Sequence, residues 1–525
     1  MTAALQLDLS AARERGSRRQ RIALESTFLV LLIAAAFLLR IWAMSEARFW
    51  DETVYLQNAD VICCAKANYS ELDSRPPLLS IVFAAAFLLW HHVYAASIAA
   101  ALLNALAPAF LYFSGRAIAG RVPAAIAALL LAFSPFFVGV FPSGFVSDDT
   151  GNSLLSDSPA LTLIVLAFWL LLRALRQQTG QRSAYGRFAC AGFVLALAVL
   201  MRFASLSSVG VLLLLVFLAD RWWSAAVACA AGLAAGIAPY LCWSRWRYGG
   251  FFRTFRNGWG YFEGPGESRL FYLKNFANIF SWIALAGLAL WIGEWAWQKW
   301  QNKVADRRAG AVERPAEQRT LDQRSRKLEA FLWLWAVALL IFFSALRHKE
   351  PRYAMPLAPP LFLLAGIGLS VLLKGRRKVR RTTTRLAGAA ILAAALVYTF
   401  LPVRQRFDAP FVDDAVSEEM QVSDFLTHTL PPSTVLYSNF NYPVFAWYTN
   451  LRVVRLPESG AALYDQLDHL PSDGILIVYK ANDEIQDPRL DWLDRDPHFR
   501  RLREFPSIIL YEYRVCPDLA SCYNR

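Results

Sequence analysis

The chain has 525 residues, of which 56% are hydrophobic, 14% aromatic and only 18% charged. A soluble domain carries about 25% charged residues, and here the apolar residues gather into runs of roughly 15 to 22, the length a helix needs to cross ~30 Å of hydrocarbon. Composition therefore excludes a soluble globular protein. The net charge of +13 does not make the chain a nucleic-acid binder, because most Lys and Arg sit in short connections between apolar runs, where they set orientation.

Residues 1–24 form a cytoplasmic tail with five arginines, Arg13, Arg15, Arg18, Arg19 and Arg21, and by the positive-inside rule this end lies inside. The first span, Thr27 to Met44, has no small-residue cleavage site after it, so it reads as a retained helix. The loop from Ser45 to Pro77 then lies outside. It carries Arg48-Phe49-Trp50-Asp51-Glu52, two adjacent carboxylates against the membrane surface. Leu78 to Trp90 is only about 20 Å of helix at ~1.5 Å per residue. It reads as a helix lying on the outer surface, led in by Pro76-Pro77.

Spans follow at Val93–Phe113 and Val122–Phe141, with Arg116 and Arg121 inside between them. The outer loop Pro142–Asp157 holds Asp148, Asp149 and Asp157 and no base. The next span starts at Ser158, and the arginine-rich connection that leads from it to Arg187 is cytoplasmic. Further spans are placed at Phe188–Phe203, Ala204–Ala219 and Trp222–Trp243. The stretch Ser244–Lys274 is outside despite its six Lys or Arg. After a span at Phe276–Trp297, the connection to Lys327 is cytoplasmic, and the following span ends at Leu346. The outer turn Arg347-His348-Lys349-Glu350-Pro351-Arg352 leads into the span Tyr353–Leu373. The basic block Lys374–Arg385 is cytoplasmic, and a last span covers Leu386–Val403. The total is about eleven spans over residues 25–403, with the N-terminus in and the C-terminus out.

From residue 404 to 525 the composition becomes that of a soluble domain. Strand-like runs at Thr434–Tyr437, Arg452–Leu456, Ile475–Tyr479 and Ile508–Tyr513 alternate with helical patterns. This predicts a small extracytoplasmic α/β domain with a largely parallel sheet. A disulfide between Cys516 and Cys522 stays open. Cys190, Cys229 and Cys242 fall inside apolar runs as small apolar residues, and no cysteine spacing suggests a zinc site.

Three outer loops concentrate chemistry. Asp51 and Glu52 are candidate catalytic carboxylates, the ordinary alternative being a solvated helix start. Asp157, in Leu155-Ser156-Asp157-Ser158-Pro159, is a third, the alternative being a helix cap. Arg202, at the outer end of an apolar run, is costly there unless it faces a cavity or a partner. It is a candidate phosphate clamp, with Arg245, Arg247, Arg253 and Arg256 as further contributors. The turn of His348, Lys349, Glu350, Arg352 and Tyr353 is denser in ionisable groups than a random interfacial turn, the ordinary alternative being a membrane-boundary anchor. Carboxylates of this kind can accept a proton from an attacking hydroxyl, and the cations can hold a departing phosphate. Paired acids can also hold a divalent cation through oxygen.

On these residues the chain resembles the GT-C superfamily of polyprenyl-phosphate-sugar-dependent glycosyltransferases, in particular the bacterial relatives of the protein O-mannosyltransferases and the lipid A aminoarabinose transferases. The carriers of the resemblance are Asp51-Glu52 in the first outer loop, the surface helix after Pro76-Pro77, Asp157 in the second loop, and the His348-Lys349-Glu350-Pro351-Arg352-Tyr353 turn. The turn is similar to the His-Lys-Glu-x-Arg-aromatic motif of lipid-linked mannosyltransferases. The resemblance covers about residues 25–403 and implies an α-helical polytopic GT-C fold with a surface helix.

It also implies an enzyme of the bacterial inner membrane. Such an enzyme moves a mannose or similar hexose or pentose from a polyprenyl-phosphate carrier to a protein, lipid or polysaccharide acceptor on the extracytoplasmic side. Asp51 would be the general base or would orient the acceptor, and Glu52 would assist at the acceptor or a metal. Arg202, His348, Lys349 and Arg352 would bind the donor phosphate. A divalent cation is an option in this superfamily, not a requirement. In one respect the sequence departs from the pattern: Asp157 is flanked by serines, with no arginine near it, where the family pairs this acid with one. Two other functions fit a chain of this kind. One is a flippase for lipid-linked sugars, which favours inverted repeats and broken helices at mid-membrane. The other is an assembly protein whose outer domain binds partners.

Overall fold

The computed structural model of the protein describes residues 2–41, 50–64, 69–134, 155–176, 182–219, 222–260, 266–308, 316–373, 390, 393, 397, 418–457, 461–467, 469–480 and 492–515. Among these residues, seven helices are long and apolar enough to cross a membrane: Ile22–Ile41, Val93–Ile118, Asp157–Arg176, Ser183–Met201, Trp222–Tyr248, Arg326–Ala345 and Pro351–Leu373. Each coincides with a span expected from the sequence. Two other expected spans are shorter apolar helices, Arg121–Phe133 and Phe203–Leu218. The span expected at Phe276–Trp297 is divided. A short helix, Phe276–Phe280, stops at Ser281, whose φ of 71° no ordinary helix accepts, and a second runs Trp282–Arg308. Of the span expected at Leu386–Val403 only residues 390, 393 and 397 are described, all helical, and the basic block before it, Asp148, Asp149 and the Cys516–Cys522 pair lie outside the described residues.

The chain divides into two compact units. The first comprises residues 1–43 and 100–408 and holds most of the bundle. Its helices approach closely because small residues line the contacts, as bilayer packing requires where lipid is as apolar as leucine. A Cβ added to Gly232 would fall 1.8 Å from the Ala189 carbonyl oxygen, and one on Gly192 would fall 1.9 Å from that of Cys229. Each glycine of the Arg182–Met201 and Trp222–Tyr248 pair thus admits the other's backbone. At the cytoplasmic end expected from sequence, Glu25 of helix α1 (Thr2–Ile41) gathers Arg116, Arg121 at 3.1 Å and the Tyr112 hydroxyl at 2.9 Å. The two arginines there thus share one carboxylate.

The second unit comprises residues 44–99 and 409–525. The acidic loop and the surface helix therefore group with the C-terminal residues, although some 300 residues separate them in sequence. Helix α2 (Trp50–Cys64) opens the unit. Helix α3 (Leu78–Leu89) is the expected surface helix, about 18 Å long at ~1.5 Å per residue and bounded by Pro77 and Trp90. It buries Leu79 and Phe83, while Leu88 and Leu89 in its last turn and Trp90 just past it are exposed.

The C-terminal sheet has five strands, β1 (Val435–Ser438), β2 (Arg452–Arg455), β3 (Gly474–Tyr479), β4 (Phe499–Glu504) and β5 (Ile508–Tyr513), in the order β2-β1-β3-β5-β4. β1 pairs parallel with β2 and β3, while β5 runs antiparallel to both β3 and β4. The sheet is mixed, not largely parallel as expected. The connection Phe505–Ser507 is far too short for a crossover, so β4 and β5 can only form a hairpin. β3 is buried along its whole length and separates two apolar layers. β4, at the edge, exposes Arg500, Arg501 and Arg503, which discourages edge-to-edge pairing.

Candidate active site

In the first unit the mouth of the bundle collects six of the residues singled out in the sequence. Asp157 is the first residue of its helix, where the helix dipole favours a negative charge. The Arg182–Met201 helix ends one residue before Arg202, whose extended backbone (φ −154°, ψ 118°) precedes a turn at Phe203–Ser205. That break releases the side chain from the helix cylinder, and the guanidinium meets the Asp157 carboxylate at 2.5 Å. The Asp157 side chain is 4% exposed and that of Arg202 17%. A charge pair so sheltered holds together because each ion lacks an adequate alternative in water.

Arg202 also lies over the Tyr353 ring, 5.0 Å from its centre, and Arg352 faces the same ring at 5.8 Å. Glu350 organises the turn around it. Its carboxylate accepts from the Tyr353 hydroxyl at 2.9 Å, meets His348 Nε2 at 2.7 Å and pairs with Arg352. The Tyr272 hydroxyl donates to the Glu350 carbonyl at 3.1 Å. Burial, followed by the nearby Glu350 charge, pushes that phenol upward, so it stays a donor.

Lys349 is placed differently from the expectation. It is buried, and its ammonium donates to the carbonyls of Glu267, Leu346 and Arg347. An ammonium has three donors, and three backbone acceptors surround this one. Lys349 thus ties the turn to the preceding stretch through Glu267. Lys349→Met is expected to lower the thermal midpoint in detergent, by the equivalent of about 2–3 kcal/mol for lost charge-assisted bonds. Scanning fluorimetry of the purified chain checks this, an unchanged midpoint being the contrary result.

The outer arginines expected to add to a clamp are also partly engaged. Arg245 and Arg253 donate to the carbonyls of Gly249 and Tyr248, the latter at 2.9 Å. Arg245 and Arg247 lie in the last turn of Trp222–Tyr248, where a cation suits the helix C-terminus.

In the second unit, α2 carries Asp51 and Glu52 in its first turn. Asp51 Oδ1 meets Arg75 Nη2 at 2.6 Å, and Arg75 Nε reaches Glu71 Oε2 at 3.0 Å. The Tyr69 hydroxyl donates to the other Glu71 oxygen at 2.5 Å, and Asn58 accepts from the Glu71 amide at 2.9 Å. Burial first, then Glu71, drives the Tyr69 phenol far above its ordinary range, which keeps it a donor. Glu52 is 4% exposed. Trp50 packs against Phe440 and Tyr442, with ring centres at 5.5 and 4.6 Å, and Tyr69 packs on Tyr442 at 5.2 Å. Aromatic contacts of this kind add about 0.5–1.5 kcal/mol each beyond their buried area. They fix the start of α2, and Asp51 with it, on the C-terminal sheet domain.

The expectation that Asp157 lacks an arginine is corrected. Arg202 fills that place from 45 positions downstream, which proximity in sequence could not reveal. Asp51 faces a guanidinium rather than standing open beside Glu52, so one of its oxygens is already committed to a cation. Arg75 and Tyr69 do not stand out in the sequence, and Glu71 stands there only as one of several acids of the loop. Their signal was the charged pair four residues apart just ahead of Pro76-Pro77.

Two family models match parts of the chain, the dolichyl-phosphate-mannose-protein mannosyltransferase family over residues 74–246 and the Alg9-like mannosyltransferase family over residues 266–436. The first span contains Asp157 and Arg202, the second the 348–353 turn. No curated protein matches in sequence. Among solved structures, the chain is similar to ArnT from Cupriavidus metallidurans bound to undecaprenyl phosphate. The TM-score is 0.64 at 14% identity, covering 93% of this chain and 98% of that one. It is also similar to the archaeal oligosaccharyltransferase AglB from Archaeoglobus fulgidus in complex with an inhibitory peptide and a dolichol-phosphate. There the TM-score is 0.55 at 14% identity, covering 86% of this chain and 69% of that one.

Proposed function

We propose, on the premise that the chain is a GT-C superfamily membrane glycosyltransferase, that it transfers a single sugar from a polyprenyl-phosphate carrier to an acceptor on the extracytoplasmic face. The observation that carries this reading is the Asp157–Arg202–Tyr353–Glu350 cluster. It holds two guanidiniums, Arg202 and Arg352, on one aromatic ring within the spans matched to two mannosyltransferase families. A guanidinium presents a planar fork of donors suited to phosphate. Asp157 and Glu350 hold the two forks in place, so their main role is positioning, and Arg202, Arg352 and His348 are the groups that receive the donor phosphate.

The reaction needs little else. An acceptor oxygen attacks the anomeric carbon, the bond from that carbon to the phosphate oxygen breaks, and the polyprenyl phosphate departs with the electron pair. Asp51 takes the acceptor proton. Glu52, sheltered behind it, supports the same end of α2. Arginine pairs neutralise the charge that grows on the leaving phosphate, which is where preorganised electrostatics acts most strongly. The acceptor is a protein, lipid or polysaccharide hydroxyl or amine, and the sugar a mannose-like hexose or pentose.

Incubating the purified chain with a panel of polyprenyl-phosphate sugars tests the reading. Release of free polyprenyl phosphate from one donor, dependent on an acceptor fraction, is the expected result. Consumption of none by an enzyme that still binds polyprenyl phosphate counts against transfer and for a carrier or flippase.

A further inference from the structure

Helix α2 ends on two adjacent cysteines, Cys63 and Cys64, joined to each other. Neither takes part in the glycosyl transfer described above. A disulfide between neighbours encloses almost no chain, so loop-closure entropy gives it almost no stabilising effect. A structural staple is therefore a poor account of it. Its surroundings offer a better one. Asp60 lies one helical turn back on the same face, buried, and a carboxylate oxygen of Asp60 and the two sulfurs all lie within 4.8 Å of one another. His91, just beyond α3, meets Asp60 Oδ1 at 2.6 Å and packs its ring on Phe87 at 4.9 Å. Two sulfurs, a sheltered carboxylate and an imidazole that orients it form a donor set for a borderline or soft divalent cation. The imidazole occupies the outer position that fixes a ligand's direction.

We propose that Cys63, Cys64 and Asp60 form a redox-gated binding site for a thiophilic divalent cation of the zinc class. In the joined state the sulfurs carry no free thiolate and the site is closed. A dithiol reductant opens it. Two electrons and two protons pass from the reductant, whose own sulfurs become a disulfide, to Cys63 and Cys64, which become two thiols. The cation then displaces the two thiol protons and binds both thiolates and Asp60, with water in the remaining position. His91 keeps the Asp60 carboxylate turned toward the cation. The sequence concealed this site because adjacent cysteines match no zinc-binding spacing, and Asp60 and His91 meet only once α2 and α3 are packed.

The test uses the full chain in detergent micelles, as isolated and after treatment with a dithiol that is then removed. Each sample is dialysed against zinc chloride, and bound zinc is counted by atomic emission. The reduced chain is expected to retain about one more zinc ion than the isolated chain and than the reduced C63S/C64S chain, which controls for the other cysteines. His91→Gln is expected to weaken retention about 10- to 100-fold. Equal zinc in the reduced parent and the reduced double-serine chain overturns the site. Alkylation of Cys63 and Cys64 in the unreduced chain overturns the gate.

Discussion

Asp51→Asn is expected to lower the transfer rate at least about a hundredfold, the lower end of what a positioned general base contributes, while protein level and polyprenyl-phosphate binding stay near those of the parent. The substitution keeps the size of the side chain and leaves an oxygen for Arg75. Arg75 also retains Glu71 at 3.0 Å, so no guanidinium is left without a carboxylate and the start of α2 has no reason to move. In the proposed reaction, what is lost is the capacity to accept the acceptor's proton. Single-turnover assays with labelled donor separate this from binding, and turnover close to the parent's would remove Asp51 from the chemistry. Arg75→Met provides the contrast. It strips the group that aims Asp51, so a smaller fall in rate is expected, mostly in the chemical step.

The second large effect is at Arg202. Arg202→Gln removes one partner of a sheltered ion pair, and an uncompensated buried charge costs about 3–5 kcal/mol. Both stability and donor binding are therefore expected to fall. Asp157→Asn alone leaves Arg202 with the Tyr353 ring but without its anchor, and donor affinity falls less. The informative chain is Asp157→Asn with Arg202→Gln. Removing both charges restores the thermal midpoint toward the parent's. Donor affinity stays down by about 10- to 150-fold, the equivalent of one or two charge-assisted hydrogen bonds. Calorimetric titration with a polyprenyl phosphate reads the affinity. Recovery of both properties in the double variant would falsify the phosphate-clamp role and leave the pair purely structural.

How far the sequence reached differs from residue to residue. Helix length and apolar content are local properties, so the seven long spans and the helix after Pro76-Pro77 could be read directly. Arg202 was legible because a charge at the end of an apolar run needs a reason. Its reason, Asp157, was not, because pairing across 45 residues depends on how two helices pack. At Lys349 the contacts themselves were hidden. Its place in a charged turn suggested a ligand, whereas burial directs its ammonium to three carbonyls. The mixed sheet was missed because strand-like runs do not show direction, and because β4 lies where the pattern of Arg489–Leu502 reads as helical. Only the three-residue link between β4 and β5 carried that information.

The grouping of residues 44–99 with 409–525 bears on how this protein can be re-engineered. Grafting a foreign C-terminal segment from residue 404 onward would remove Phe440 and Tyr442 from Trp50 and leave α2 without its seat. A workable chimera must exchange both stretches together, the first outer loop travelling with its distant partner. The folding unit would then move as one cassette encoded in two pieces.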